Sequence, residues 1–166
     1  VFTWFGEPFT ELAGKTWGII GLGAIGRKVA DIAKAFGAHV IYYSASGRPV
    51  QEGYEQVDLN TLLRTSDVIS VHAPLNEYTE NLMDKAAFAK MKRSAIFLNL
   101  GRGPIVVEED LAEALKQGTI AAAGVDVLRT EPIQPDNPLL AIKDSHKLFI
   151  TPHIAWASTE ARTRLM

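Results

Sequence analysis

The sequence contains no cysteine. That absence excludes a disulfide scaffold, a Cys-ligated zinc site and thiol catalysis. It also lacks an excess of either charge: 17 Lys and Arg stand against 19 Asp and Glu, a net charge of −2. Such a balance argues against a broad surface for nucleic acid. No apolar run reaches the roughly 18 residues that a membrane helix needs, and no basic-then-apolar leader opens the chain. Internal repeats, low-complexity tracts and linkers are missing too, and no metal site is expected. What is present is ordinary globular material: 166 residues, 47% hydrophobic and 22% charged. That length suits one domain and buries roughly 70% of the unfolded surface. The expectation is a soluble, cytoplasmic domain that meets neither nucleic acid nor membrane.

The chain begins Val1-Phe2-Thr3-Trp4-Phe5 without an initiator Met. It stops at Met166, inside a segment that reads as a helix capped by Ser158, with Glu160 in its first turn. The expectation is a single domain over residues 1–166, taken from a longer protein, with a trimmed small protein as the alternative. Trp4, Phe5 and Phe9 in the irregular opening fit either an oligomer surface or packing onto the domain edge.

Apolar, β-rich runs alternate with helical segments along the chain. Thr16–Ile20 reads as a strand, and a helix follows with Ile25, Val29, Ile32, Ala33 and Phe36 near helical spacing, ending at Gly37. His39–Tyr43 is a second strand, and residues 44–56 are polar and loop-like. Asp58 and Asp84 suit helix N-caps, and residues 67–72, 95–100, 121–127 and 147–150 read as further strands. Glu108 and Glu109 open another helix, which Gly118 ends. Continuous apolar strands separated by helices predict an α/β fold: a doubly wound parallel sheet of the Rossmann type, with helices on both faces. Such sheets bind ligands at the carboxyl ends of their strands.

The first strand runs into Gly21-Leu22-Gly23-Ala24-Ile25-Gly26. GxGxxG is a weak signal alone, but between a strand and a helix it points to a dinucleotide. Gly21 permits the tight turn, Gly23 lets the backbone approach a pyrophosphate, and Gly26 lets the helix pack on the strand. The free N–H groups of the helix start favour the phosphates. Ser44 stands 23 residues after Gly21, where an acid usually bonds the adenosine ribose, and Arg48 follows. Ser and Arg tolerate a 2′-phosphate where an acid repels one. The cofactor is therefore NAD or NADP, with the loop leaning to NADP or mixed use unless Arg48 merely faces water.

Arg102, Glu131 and His153 each follow the carboxyl end of a predicted strand, at intervals of 29 and 22 residues. In a doubly wound fold those ends converge, so the three fit one shared cleft, or, taken singly, a surface loop charge, a solvated turn acid and a structural His. With this spacing in place, the sequence resembles the cofactor-binding domain of the D-isomer-specific 2-hydroxyacid dehydrogenase family. The matching stretches are residues 12–16, 18–26, His72-Ala73-Pro74-Leu75 with Thr79, residues 99–103, Gly124–Val127 with Thr130-Glu131-Pro132, and Thr151-Pro152-His153. Residues 152–158 further resemble the glycerate dehydrogenase (hydroxypyruvate reductase) branch.

The resemblance implies an NAD(P)-dependent oxidoreductase that moves a hydride between nicotinamide and a D-2-hydroxy acid or its 2-keto acid. Carried over, Arg102 binds the substrate carboxylate, and His153 exchanges the proton of the alkoxide. Glu131 holds the imidazole, and its charge favours imidazolium. Ala24 and Ile25 touch the pyrophosphate, while Ala73, Pro74 and Thr79 line the adenosine side. Leu100, Gly101 and Arg102 approach the nicotinamide ribose. Asp126 contacts the nicotinamide side, and His153 and Ala155 also bind the cofactor. Read from the residues alone, Asp126 is also explained as a strand-end acid bonded to local N–H groups. The family's second, substrate-covering domain is not in this sequence, so the isolated piece is expected to bind cofactor and turn over poorly; the full-length protein is expected to be a homodimer. A dinucleotide-sensing, corepressor-like module is the alternative function.

Overall fold

The computed structural model describes residues 9–46 and 53–166. Trp4, Phe5 and Arg48, singled out above, lie outside the described residues. The strands are β1 (Thr16–Ile20), β2 (His39–Tyr43), β3 (Glu55–Gln56), β4 (Val68–Val71), β5 (Ile96–Asn99), β6 (Ala122–Val125) and β7 (Leu148–Ile150). Between them lie helices α1 (Ala24–Ala35), α2 (Leu59–Thr65), α3 (Lys85–Phe88) and α4 (Glu108–Gln117), and α5 (Thr159–Leu165) follows β7. Every ladder is parallel, in the order β3-β2-β1-β4-β5-β6-β7. This is the α/β architecture expected from the alternation of apolar strands and helices.

The caps fall where side-chain chemistry puts them. Asp58 accepts a hydrogen bond from the Thr61 N–H at α2, Asp84 from Ala87 at α3, and Ser158 from Ala161 at α5. Glu108, Glu109 and Asp110 occupy the first turn of α4, and Gly118 closes it in the left-handed conformation.

Successive residues of β1 point to opposite faces and seed two cores. Ile20 joins Leu62, Phe88, Phe97, Leu111 and Leu115 beneath α2, α3 and α4. Ile19 joins Ala30, Ala33, Val40 and Tyr42 beneath α1. Here the structure corrects the helical reading. Gly26, Ala30 and Ala33 are the residues of α1 that face the sheet. Ile25, Ile32 and Phe36 are 69%, 58% and 62% exposed. Small residues let the helix lie close to the strands, and close packing outweighs burial of larger side chains that a second layer can cover. On the same sheet face the row of register partners Ile19, Ser70, Leu98, Gly124 and Phe149 runs outward, and Phe149 is left exposed at its end.

The loop of residues 44–56 contains one surprise. Glu55 and Gln56 form β3, paired with Ile41 and Tyr42 at the sheet edge. The Tyr42 hydroxyl donates to the Gln56 side-chain carbonyl at 2.9 Å.

Candidate active site

Because all strands run the same way, their carboxyl ends deliver Gly21, His72, Leu100, Asp126 and Thr151 to one edge of the sheet. At the first of these, Gly21 has φ +93°, and a Cβ there would fall 2.6 Å from the Ala73 nitrogen. Only glycine fits so close an approach between the first loop and the residue after β4. Gly23 is the residue just before α1. No side chain caps this helix and no acid occupies its first turn. Nothing lies within 4 Å of where a Gly23 Cβ would be. Open space thus faces the positive end of the helix dipole.

Two of the cavities at this edge lie beside the start of α1. One, of about 210 Å³, is bounded by Gly21, Gly23, Ser44, Ala73, Pro74 and Thr79. The other, of about 670 Å³, is bounded by Ile25, Leu100, Arg102, Asp126, His153 and Ala155, among others. His72 borders both, so together they form one elongated groove past the helix start. Of the remaining residues expected to hold cofactor, Gly26 and Gly101 are buried beside the groove and Ala24 is exposed. The Thr79 hydroxyl is already used: it donates to the Pro74 carbonyl at 2.7 Å and accepts from the Asn76 N–H at 2.9 Å. It shapes the wall rather than offering a free donor. The hydroxyls of Ser44 and Ser46 lie 3.2 Å apart.

His153 lines the larger cavity, and its Nδ1 lies 2.8 Å from Oε2 of Glu131. The other Glu131 oxygen accepts the Leu128 N–H at 2.9 Å. Burial pushes the Glu131 carboxyl up, but the Leu128 N–H and the His153 ring outweigh it and hold the group below the usual carboxylate range. An ionised Glu131 accepts a hydrogen bond from Nδ1–H and leaves Nε2 for exchange with a ligand. Arg102 is exposed into the same cavity, with Nη1 donating to the Gly101 carbonyl at 2.8 Å. Its loop is tied down by Asn99, whose amide donates to the Arg102 carbonyl and accepts the Gly101 N–H.

Asp126 is 4% exposed. Its carboxylate accepts the Thr151 hydroxyl at 2.5 Å and the N–H groups of Ile154 and Ala155 at 2.9 Å each. Its backbone carbonyl accepts the His153 N–H at 2.8 Å. Burial would raise its carboxyl, yet these donors keep it below the usual range. The acid thus anchors the loop that presents His153, whose φ of +54° is unusual for a residue with a side chain.

The cavities also recruit side chains that were read only as part of a motif or as packing. His72 stands half-buried between them. Its Nε2 is 3.1 Å from the Ser70 hydroxyl, which also accepts the Trp17 ring N–H. Its Nδ1 is buried without a partner. Val29, Trp156 and Leu165 add apolar wall. A His at a strand end, one residue before an Ala-Pro turn, is the signal that could have found it.

An elongated groove, an uncapped helix start, an orphaned ring nitrogen midway and an apolar pocket beside Arg102 and His153 fit a dinucleotide. Its phosphates would face α1, and its ring would lie near Leu100 and Asp126.

Comparison with known proteins agrees. The family model described as D-isomer specific 2-hydroxyacid dehydrogenase, NAD binding domain, matches residues 3–155. A hydroxypyruvate reductase of Blautia hydrogenotrophica is 50% identical over 161 residues, covering 96% of this chain and 49% of the relative. Among solved structures, the TT0316 protein from Thermus thermophilus superposes with a TM-score of 0.88 at 39% identity, covering 98% of this chain and 51% of that one. An acyclic imino acid reductase, Bsp5, solved with NADPH and D-Arg, superposes with a TM-score of 0.87 at 37% identity, covering 99% and 52%. The chain spans about half the length of the relatives it matches.

Proposed function

The chain belongs to the D-isomer specific 2-hydroxyacid dehydrogenase family, as its NAD-binding domain, and from that premise we propose that it serves an NAD(P)-dependent reductase of small 2-keto acids. Hydroxypyruvate is the first candidate, as the named substrate of a 50% identical relative. The observation that carries the reading is the 2.8 Å contact of Glu131 with His153, whose ring lines the cavity that Arg102 also enters.

Bound reduced dinucleotide supplies a hydride to C2 of the keto acid. Arg102 grips the substrate carboxylate, for which a planar guanidinium is suited. Nε2 of His153 gives a proton to the keto oxygen as it becomes a hydroxyl. Glu131, ionised, fixes the ring and balances its charge. The same groups run the oxidation backwards, with His153 accepting the proton. Asp126 holds the His153 loop in place, and the α1 start holds the pyrophosphate. Ser44 leaves room for NADP as well as NAD, and Arg48 is the residue to test for a 2′-phosphate contact.

Turnover in this reading needs the half of the protein that lies beyond the chain, to cover the groove and exclude water. No helix among the described residues is long and apolar enough to cross a membrane, and a cytoplasmic homodimer accords with the rest of the reading. The exposed side chains of Ile25, Ile32, Phe36 and Phe149 offer surface for that covering or pairing.

The test is NAD(P)H consumption by the full-length enzyme with hydroxypyruvate, glyoxylate and pyruvate. His153→Ala is expected to lose about 10²- to 10⁴-fold in kcat, the usual contribution of a general acid. Dinucleotide affinity should stay within a factor of about 3, since the ring is not asked to bind phosphate. Parent-level turnover by His153→Ala would overturn the assignment.

A further inference from the structure

Glu108 is the first residue of α4 and lies outside both cavities. It is 7% exposed. An acid at a helix start normally satisfies N–H groups of its own helix. This one reaches across to another segment: Oε1 accepts the backbone N–H of Arg129 at 2.6 Å, and Oε2 accepts the side-chain amide of Asn137 at 2.8 Å. The Asn137 carbonyl oxygen in turn accepts the Leu139 N–H, at the start of a short 3₁₀ helix (Pro138–Ala141).

The two donors bracket the segment that contains Glu131. Arg129 lies two residues before it. Leu128, the residue adjacent to Arg129, gives its N–H to the Glu131 carboxylate. A continuous path therefore runs from the Glu108 carboxylate through the Arg129 and Leu128 backbone to Glu131, and on to Nδ1 of His153. A buried carboxylate that lost these donors would be costly, so the segment is held by a strong constraint. The side chain of Arg129 adds a second tie, to the Asn81 side-chain carbonyl in the loop after β4.

We propose that Glu108 is a positioning residue for the reaction: it sets the height of the 128–131 turn and thereby keeps the Glu131 carboxylate against the His153 ring. The proposal rests on the roles given to His153 and Glu131 above, but its link to Glu131 is measurable without turnover. The groups facing Glu131 are His153, the Leu128 N–H and, at longer range, the like-charged Asp126.

The experiment is a carbon-detected NMR titration of the Glu131 carboxyl in this chain, in the parent, Glu108→Gln and Glu108→Met. In Glu108→Met both acceptors are gone. The turn shifts, Glu131 loses the contacts that hold its carboxyl down, and its midpoint is expected to rise toward the ordinary glutamate value of about 4.3. Glu108→Gln keeps an oxygen for the Arg129 N–H and should titrate like the parent. Should Glu108→Met not fold, Glu108→Asp tests the same link: it keeps the charge but withdraws the acceptor by one methylene, and the same rise is expected. In the full-length enzyme, the variant that moves Glu131 should lose about tenfold or more in kcat, because small misplacements of a catalytic pair are costly, with dinucleotide affinity unchanged.

A folded Glu108→Met or Glu108→Asp chain in which Glu131 titrates like the parent overturns the proposal and leaves Glu108 a stability element only. If the parent enzyme reduces no 2-keto acid, the functional reading fails instead, and the titration still decides the link between Glu108 and Glu131.

Discussion

Gly103 and Leu128 touch backbone to backbone: a Cβ on Gly103 would fall 1.9 Å from the Leu128 carbonyl carbon and 2.0 Å from its oxygen. The contact welds the loop of Arg102 to the turn that fixes Glu131. Two of the three residues assigned to chemistry are thus spaced by a glycine that neither binds nor reacts.

Gly103→Ala must therefore push the two loops apart. A loss of about 3 kcal/mol is expected, the upper end for overpacking, since the obstruction is backbone and cannot rotate away. Urea unfolding of the chain measures it. Turnover of the full-length variant should fall further than its dinucleotide affinity, because the groove beside Gly23 is untouched. An alanine variant as stable and active as the parent would show that the loops have slack.

Acid should loosen the fold through its carboxylates. Asp126, Glu131 and Asp67 all have folded-state carboxyls held below their ordinary values. For Asp67 burial raises the group, while Lys92 at 2.9 Å and the Thr16 N–H more than offset it. A group depressed by folding stabilises the native state above its unfolded pKa, and that stability disappears as pH falls through the folded value. The loss should begin near pH 4, about where free carboxylates titrate, and deepen below it. Asp126→Asn should be less stable than the parent at neutral pH and lose less on acidification. Equal slopes in the two proteins, by urea unfolding against pH, would remove Asp126 from the account.

His72 gives a second pH dependence, in a different window. Burial pushes its pKa down, so the folded ring resists the proton that the unfolded ring accepts. Native stability is then full above the unfolded value of about 6.5 and declines as pH falls below it, until the folded ring also protonates. His72→Gln should flatten the change in Tm between about pH 7.5 and about pH 5.5, and the difference from the parent isolates this group. A parent and variant whose melting curves shift in parallel would rule His72 out.

Much of this architecture was legible because fully buried strands leave continuous apolar runs; all four residues of β4 are buried. The glycine turn and the Asp58, Asp84 and Ser158 caps were equally readable, since each depends on local backbone chemistry. β3 was not: Glu55 and Gln56 are two exposed polar residues whose pairing is a tertiary event. The buried face of α1 also escaped, because periodicity assigns the larger apolar residues inward while close packing chose Gly26, Ala30 and Ala33. At the site, the meeting of Glu131 with His153, and of His153 with Arg102 at one cavity, was legible in the strand ends taken with the glycine loop. The supports were not. Glu108 acts through partners remote in the sequence, Arg129 and Asn137, and His72 through burial. Asn99 acts on Gly101 and Arg102 close by, through a side-chain geometry that composition does not announce.

The parallel order of the sheet carries a consequence for how the protein comes into being. β1 is the first strand in sequence but pairs on one side with β4, so Gly18 meets Ile69 only after some fifty residues of intervening chain have emerged. The groove draws on residues from Gly21 to Leu165, nearly the whole span. Non-local pairing of this kind is slow, because chain entropy is lost before the contacts repay it. A nascent chain cannot grip a dinucleotide in its early stages. Capture of the nucleotide across the full groove marks the moment at which synthesis and folding of this segment are complete.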